Sequence, residues 1–295
     1  MSQTVIEVNR LSKVYKDFTA VDNVSFTIEA NKIYGFLGRN GAGKTTIMQM
    51  ITAQQFATEG EIRVFGEHPY ENNKVIQQIC FIRESQKYPD LVTVRDVMGI
   101  ASDVYPNWDA EYANELIEIF RLPLKRLVKR LSRGMLSAVG IIVGLASRAP
   151  ITVFDEPYLG LDAVARELFY DQLIEDYTSH PRTIILSTHL IDEVSRLLEH
   201  IILIDGGKIL LDSDTDELRG RTCNVIGHQS AVEAFIQGRK VIHTETLGST
   251  VSATVMGKSE AEVKQEAAQA GLETVPVSLQ QLIVHLTRNG KVASR

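Results

Sequence analysis

The segment Gly38-Arg39-Asn40-Gly41-Ala42-Gly43-Lys44-Thr45 satisfies the spacing G-x-x-x-x-G-K-[ST] at every fixed position. The pattern restricts a fold tightly. It works only where a strand delivers the chain into the loop and a helix carries it away, so that backbone N–H groups close around an anion and the helix N-terminus faces it. Both flanks are legible: Ile33-Tyr34-Gly35-Phe36-Leu37 is an apolar run of strand character, and Thr46-Ile47-Met48-Gln49-Met50-Ile51 is helical. The three glycines of the loop permit close backbone approach. Lys44 is expected to reach the β/γ-phosphates of a nucleotide, and Thr45 to place its hydroxyl on Mg²⁺. Gly38, Asn40, Gly41, Gly43 and Thr46 complete the candidate phosphate contacts.

A chain of 295 residues can bury a substantial core in one or two domains. Its net charge of −6 argues against nucleic acid as the main partner, because a phosphate-binding surface leaves a basic excess. No window approaches the roughly 20 apolar residues of a membrane span, and the N-terminus lacks the pattern of a signal peptide. Cys80 and Cys223 have no nearby Cys or His and read as small buried hydrophobes. The expected location is the cytoplasm, with any membrane role exercised through a partner.

Up to about residue 220, short apolar runs alternate with helical patterns, as in an α/β core with a largely parallel sheet. Ahead of the loop, Val5-Ile6-Glu7-Val8 and Val24-Ser25-Phe26-Thr27-Ile28 alternate in polarity, as antiparallel strands with one wet face do. Residues 94–149 hold several helical stretches and no convincing strand, and read as an inserted helical subdomain. Strands rich in branched residues then return at 151–154, 183–187 and 201–204, and Asp205-Gly206-Gly207-Lys208 reads as a hairpin turn. Residues 221–295 change character again, with short strands and two helices, and form a small α+β extension.

Four further elements follow the loop in order. Ile151-Thr152-Val153-Phe154-Asp155-Glu156 is an apolar strand ending in two carboxylates; Asp155 suits support of Mg²⁺ and Glu156 suits orientation or deprotonation of an attacking water. Leu131-Ser132-Arg133-Gly134-Met135 opens a helical run, where the Ser and Gly offer either an ordinary N-cap or an anion site. Tyr158-Leu159-Gly160-Leu161-Asp162 follows the acidic pair, and Ser187-Thr188-His189 ends the next strand, with His189 placed to bond a γ-phosphate.

Loop, LS-x-G, strand-D-E, G-L-D and strand-end His, in that order, together resemble the ATPase subunit of the ATP-binding cassette family over about residues 4–220. The resemblance implies a P-loop NTPase core with an antiparallel N-terminal β-subdomain, and ATP hydrolysis with Mg²⁺. It implies that Tyr15 stacks on adenine and that two subunits meet head to tail. Ser132 and Gly134 of one subunit then close on the nucleotide of the other, and Asp162 couples the two sites. A second ATPase subunit is implied, in a homodimer or alternatively a heterodimer, with a separate transmembrane permease as partner and a location at the inner face of the membrane. Two departures stand out. The usual signature L-S-G-G-Q has Arg133 and Met135 in place of a Gly and the Gln, so Arg133 either adds charge near the nucleotide or points to solvent. The strand-end position usually held by Gln falls on Glu84, with Gln86 as the alternative; a carboxylate there suits Mg²⁺. Tyr105-Pro106-Asn107-Trp108-Asp109 before a helix, the altered signature and the C-terminal extension resemble bacterial exporter ATPases. A second class, a cassette ATPase acting on ribosomes or DNA, is disfavoured by the single cassette and by the lack of sustained heptads.

Overall fold

The structure, a computed structural model, describes residues 3–84, 86–257 and 259–289. The chain divides into two compact units: residues 1–189 with 206–208, and residues 190–205 with 209–295.

In the first unit, β1 (Thr4–Tyr15) and β2 (Phe18–Glu29) form a long antiparallel ribbon, with β3 (Ile33–Leu37), α1 (Lys44–Ile51) and β4 (Glu59–Val64) following. The ribbon extends well beyond the two short alternating runs legible in sequence, because positive-φ residues Arg10 and Asn23 and several register shifts let it twist without ending. β4 adds to the other edge of β1, giving the order β2-β1-β4.

After the short α2 (Asn73–Ile76), β5 (Ile79–Arg83) leads into the helical insertion, comprising α3 (Val94–Val104), α4 (Ala110–Ile119) and α5 (Arg133–Ala146). Each of these helices starts on a side-chain cap: Thr93 with Asp96 in a capping box, Asp109 on the Tyr112 amide, and Ser132 on the Met135 amide. The chain then returns through β6 (Ile151–Asp155), α6 (Ala163–Ser179) and β7 (Thr183–Thr188). Strands β5, β6, β7 and β3 lie side by side and parallel, with Arg83, Asp155 and Ser187 in one row and Leu37 beside Thr188. β6 and β7 are buried along their whole length, which accounts for their unbroken apolar sequence.

An ion cluster fastens the insertion to this core. Asp176 on α6, 4% exposed, pairs with Arg148 just after α5 and with Arg182 just before β7, the latter at 2.6 Å. Arg148 also reaches the α4 cap Asp109 at 2.9 Å. Burial, with the neighbouring Arg148 charge, pulls the Arg182 guanidinium down to about 10.

A turn at residues 206–208 belongs to the same unit. The Gly207 amide donates to the Ala42 carbonyl (3.0 Å), and the Gly207 carbonyl accepts from the Asp22 amide (2.9 Å). A Cβ on Gly207 would lie 2.9 Å from the Ala20 carbonyl oxygen.

The second unit contains α7 (Ile191–Val194), β8 (His200–Asp205), β9 (Lys208–Asp214), α8 (Thr215–Arg219), β10 (Thr222–His228), α9 (Gln229–Ile236), β11 (Lys240–Leu247), β12 (Thr250–Met256), α10 (Glu260–Gln269), β13 (Glu273–Pro276) and α11 (Leu279–Asn289). β10 to β13 make an antiparallel sheet in the order β11-β12-β10-β13, a split β-α-β-β-α-β arrangement. Its core includes Cys223, Val225, Val255, Val232 and Phe235. β4, α9 and β13 have no counterpart among the elements read from sequence; Glu59–Val64 and Glu273–Pro276 carry too few apolar residues to signal a strand.

Candidate nucleotide-binding and catalytic site

Parallel strands point their carboxyl ends to one edge of the sheet, and that edge is where α/β folds place ligands. Here β3 ends at the phosphate loop, β5 at Glu84, β6 at Asp155 and Glu156, and β7 at His189. Four stretches far apart in sequence therefore open onto one cleft of about 640 Å³. Tyr15, Asn40, Gly41, Gly43, Lys44, Thr45, Thr46, Glu84, Asp155, Glu156 and His189 all line it.

Gly43, at φ +108°, sits where a Cβ would come within 2.6 Å of the Ala20 carbonyl oxygen, so no side chain fits there. α1 begins directly after it, aiming its first amides into the loop. Lys44 is 5% exposed, and its ammonium donates to the carbonyls of Gly38 (2.8 Å) and Arg39 (3.2 Å). Burial lowers its pKa, with the charges of Glu156 and Asp155 acting in the opposite direction. An anion brought to this nitrogen meets a cation already stripped of most of its water.

The Thr45 hydroxyl donates to Asp155 Oδ2 at 2.7 Å. Hydroxyl and carboxylate are both hard oxygen donors of the kind Mg²⁺ takes, and Glu84 lines the same cleft. Gln86 is not among the residues lining the cleft.

Glu156 is 9% exposed and adopts φ +49°, a left-handed conformation uncommon for a side chain of this kind. It faces Lys44 through Oε1 (3.7 Å) and His189 Nδ1 through Oε2 (2.8 Å). Tyr158, 1% exposed, supports the same imidazole: its hydroxyl lies 3.3 Å from His189 Nδ1 and accepts from the Thr188 hydroxyl and the His189 amide. A carboxylate, an imidazole and an ammonium held this way can orient a nucleophilic water beside a phosphate.

Ser132, Gly134 and Asp162 do not line this cleft. Ser132 and Asp162 are exposed, and each caps a helix: Ser132 Oγ accepts from the Met135 amide (3.2 Å), and Asp162 Oδ1 accepts from the Ala165 amide (2.8 Å). Arg133 is exposed as well. Gly134 has a steric reason to be glycine, because a Cβ there would lie 2.8 Å from the Gly160 carbonyl oxygen. Ser137 Oγ donates to the Leu159 carbonyl at 2.6 Å.

The cleft also contains Phe18 and Ala20, and Leu159 from the motif after the acidic pair, none of which motif reading assigned to the site. Phe18 is the cross-strand partner of Tyr15 and is 60% exposed. A hairpin of two adjacent aromatic strand ends was the available signal, and it is weak without knowledge that the hairpin abuts the loop. The Tyr15 hydroxyl donates to Gln55 Oε1, and Lys13 Nζ lies 5.1 Å from its ring centroid.

Residues 21–159 match the family described as "ABC transporter". YtrB, an ABC transporter ATP-binding protein of Bacillus subtilis (strain 168), is 30% identical over 73% of this chain and 74% of its own. The bacitracin transport ATP-binding protein BcrA of Bacillus licheniformis is 32% identical over 74% of this chain and 72% of its own. Among solved structures, an ATP binding subunit of an ABC transporter superposes with a TM-score of 0.66 at 25% identity, covering 73% of this chain and 92% of that one. An ATP-binding cassette in a dimeric post-hydrolysis state bound to ADP and Pi gives 0.64 at 22% identity, over 71% and 98% of the two chains. Likeness on this scale, over the residues that build a phosphate cleft at the strand ends, makes this chain a member of the ATP-hydrolysing ABC transporter ATP-binding proteins.

Proposed function

We propose that this chain is the energy-coupling ATPase of an exporter, working as a head-to-tail dimer beneath a separate transmembrane permease. Lys44 clamps the β/γ-phosphates, Asn40, Gly41, Gly43 and Thr46 line the phosphate cradle, Gly38 opens the loop and holds Lys44 through its carbonyl, and Tyr15 stacks on the adenine. Thr45, Asp155 and Glu84 hold Mg²⁺, which when bound offsets phosphate charge. Glu156 acts as general base, and His189, steadied by Tyr158, orients the water and senses the γ-phosphate. Ser132 and Gly134 complete the site of a second copy, and Asp162 links the two sites.

The observation that carries this reading is the division of the motifs. Those from β3, β5, β6 and β7 share one cleft, whereas Ser132 and Asp162 stand exposed outside it. Relatives that carry the names bacitracin transport, lantibiotic transport and Nod factor export favour a lean to export. No helix among the described residues is long and apolar enough to cross a membrane, which fits a spanning partner encoded separately. The test is expression of the chain with and without a transmembrane permease encoded by a neighbouring gene. The chain should sediment with membranes only when that partner is present, and a distribution indifferent to the partner refutes the transporter reading.

A further inference from the structure

The segment from Glu156 to Leu161 is fastened on both flanks. On one side the buried Tyr158 hydroxyl is bonded to Thr188 and His189 at the end of β7. On the other, Ser137 on the second turn of α5 holds the Leu159 carbonyl at 2.6 Å. One residue later, Gly160 turns at φ +100°, and its carbonyl oxygen lies so close to Gly134 that a Cβ there would come within 2.8 Å, while a Cβ on Gly160 would press on Arg133 at 3.2 Å. Leu159 itself lines the nucleotide cleft. The start of α5, which carries Ser132 and Gly134, is thus joined through one polar bond and one backbone-to-backbone contact to the wall of the chain's own site.

We propose that Ser137 is a positioning residue that ties the Ser132/Gly134 element, destined for the partner's nucleotide, to the state of the chain's own cleft. The inference rests on the shared-site reading above. Protein interiors shift between discrete packings rather than deforming smoothly. A movement of Leu159 as the cleft closes is therefore transmitted to α5 only while the hydroxyl bond and the glycine contact both persist. Alanine at position 137 removes the donor but no group that touches nucleotide.

The test uses the full-length dimer. Ser137→Ala should leave the ATP dissociation constant within about twofold and lower kcat roughly three- to tenfold, the worth of one neutral hydrogen bond. The Hill coefficient for ATP should fall toward one. Ser137→Thr keeps the hydroxyl and should restore both. Ser137→Cys, nearly isosteric with a weak donor, should fall between them, and it takes the place of Ser137→Ala if that variant fails to fold.

Mixed dimers give the direction of the effect. In each, one subunit carries Glu156→Gln, so both clefts bind ATP and a single one hydrolyses it. With Ser137→Ala on the Glu156→Gln subunit, the active site receives the altered Ser132/Gly134 element and should lose the same factor. With the two changes on opposite subunits, the activity should equal that of the Glu156→Gln/wild-type dimer. Equal activity of the two mixed dimers would mean that Ser137 only stabilises its own helix, and overturns the proposal. A wild-type Hill coefficient of one, together with no ATP-dependent dimer of Glu156→Gln, refutes the shared site itself and removes this inference with it. That result differs from equal mixed dimers on a cooperative wild type.

Discussion

Replacing Glu156 by Gln keeps the shape of the side chain and takes one negative charge out of the cleft. The carboxylate lies 3.7 Å from Lys44 Nζ and 2.8 Å from His189 Nδ1, at 9% exposure. At an effective dielectric near 20, unit charges at about 4 Å interact by roughly 4 kcal/mol. In the free chain that energy favours the Lys44 ammonium. Toward a nucleotide the same carboxylate acts as a like charge of comparable weight. The amide relieves that repulsion and cannot take a proton from water. Binding and turnover should therefore move in opposite directions. ATP affinity is expected to rise by up to about tenfold, a third of the unscreened energy, while hydrolysis falls by roughly 10²–10⁴. There is also a pH signature. Burial already lowers the Lys44 pKa and Glu156 is the leading charge opposing it, so the amide lowers it further. The gain in affinity should shrink as rising pH discharges Lys44, earlier than in the wild type. Equilibrium nucleotide binding, phosphate release and light scattering read all of this. Turnover within tenfold of the wild type would refute Glu156 as the base, and a loss of ATP affinity at neutral pH would refute the electrostatic argument.

Lys44→Ala should weaken ATP binding by roughly a hundredfold, since charge-assisted bonds are worth about 1.5–3 kcal/mol each and more than one is lost; calorimetric titration with ATP checks it. Phe18→Ala should weaken ATP and ADP alike by roughly five- to tenfold, a fraction of the 1–3 kcal/mol of a full base stack, and leave tripolyphosphate affinity unchanged. A change in tripolyphosphate affinity would place Phe18 in the phosphate cradle instead. Asp176→Asn leaves Arg148 and Arg182 facing one another without their shared carboxylate. It should cost about 3–5 kcal/mol, seen in denaturant unfolding, with little effect on nucleotide affinity if the protein is assayed where it remains folded.

The parallel core and the cleft were legible because their signals are local. An apolar run, a glycine turn and a terminal carboxylate can each be read within ten residues, and parallel pairing alone then brings Lys44, Glu84, Asp155 and His189 to one edge. Contacts between elements with no periodic or motif signature were not legible. Nothing in Ser137 or Leu159 announces that they meet, and Asp176 sits in a helix whose charges look like a solvated face until Arg148 and Arg182 converge on it. Ser132 and Asp162 carry ambiguity in sequence and structure alike, because the cap each makes is compatible with serving a second chain. β4 and β13 escaped notice because edge strands with alternating or sparse apolar residues owe their form to a neighbour rather than to their own pattern.

One carbonyl ties distant parts of the chain to the phosphate loop. The oxygen of Ala20 faces Gly43 on one side and Gly207 on the other, at distances that exclude a Cβ from both, while the Gly207 amide holds Ala42 inside the loop. The smallest fragment that binds nucleotide is thus not delimited by its motifs. A chain cut after His189 would retain each sequence signature of the cleft yet lose the turn that braces the loop from outside. The same turn is a poor place for an epitope tag or a domain insertion, despite looking in sequence like a dispensable surface hairpin.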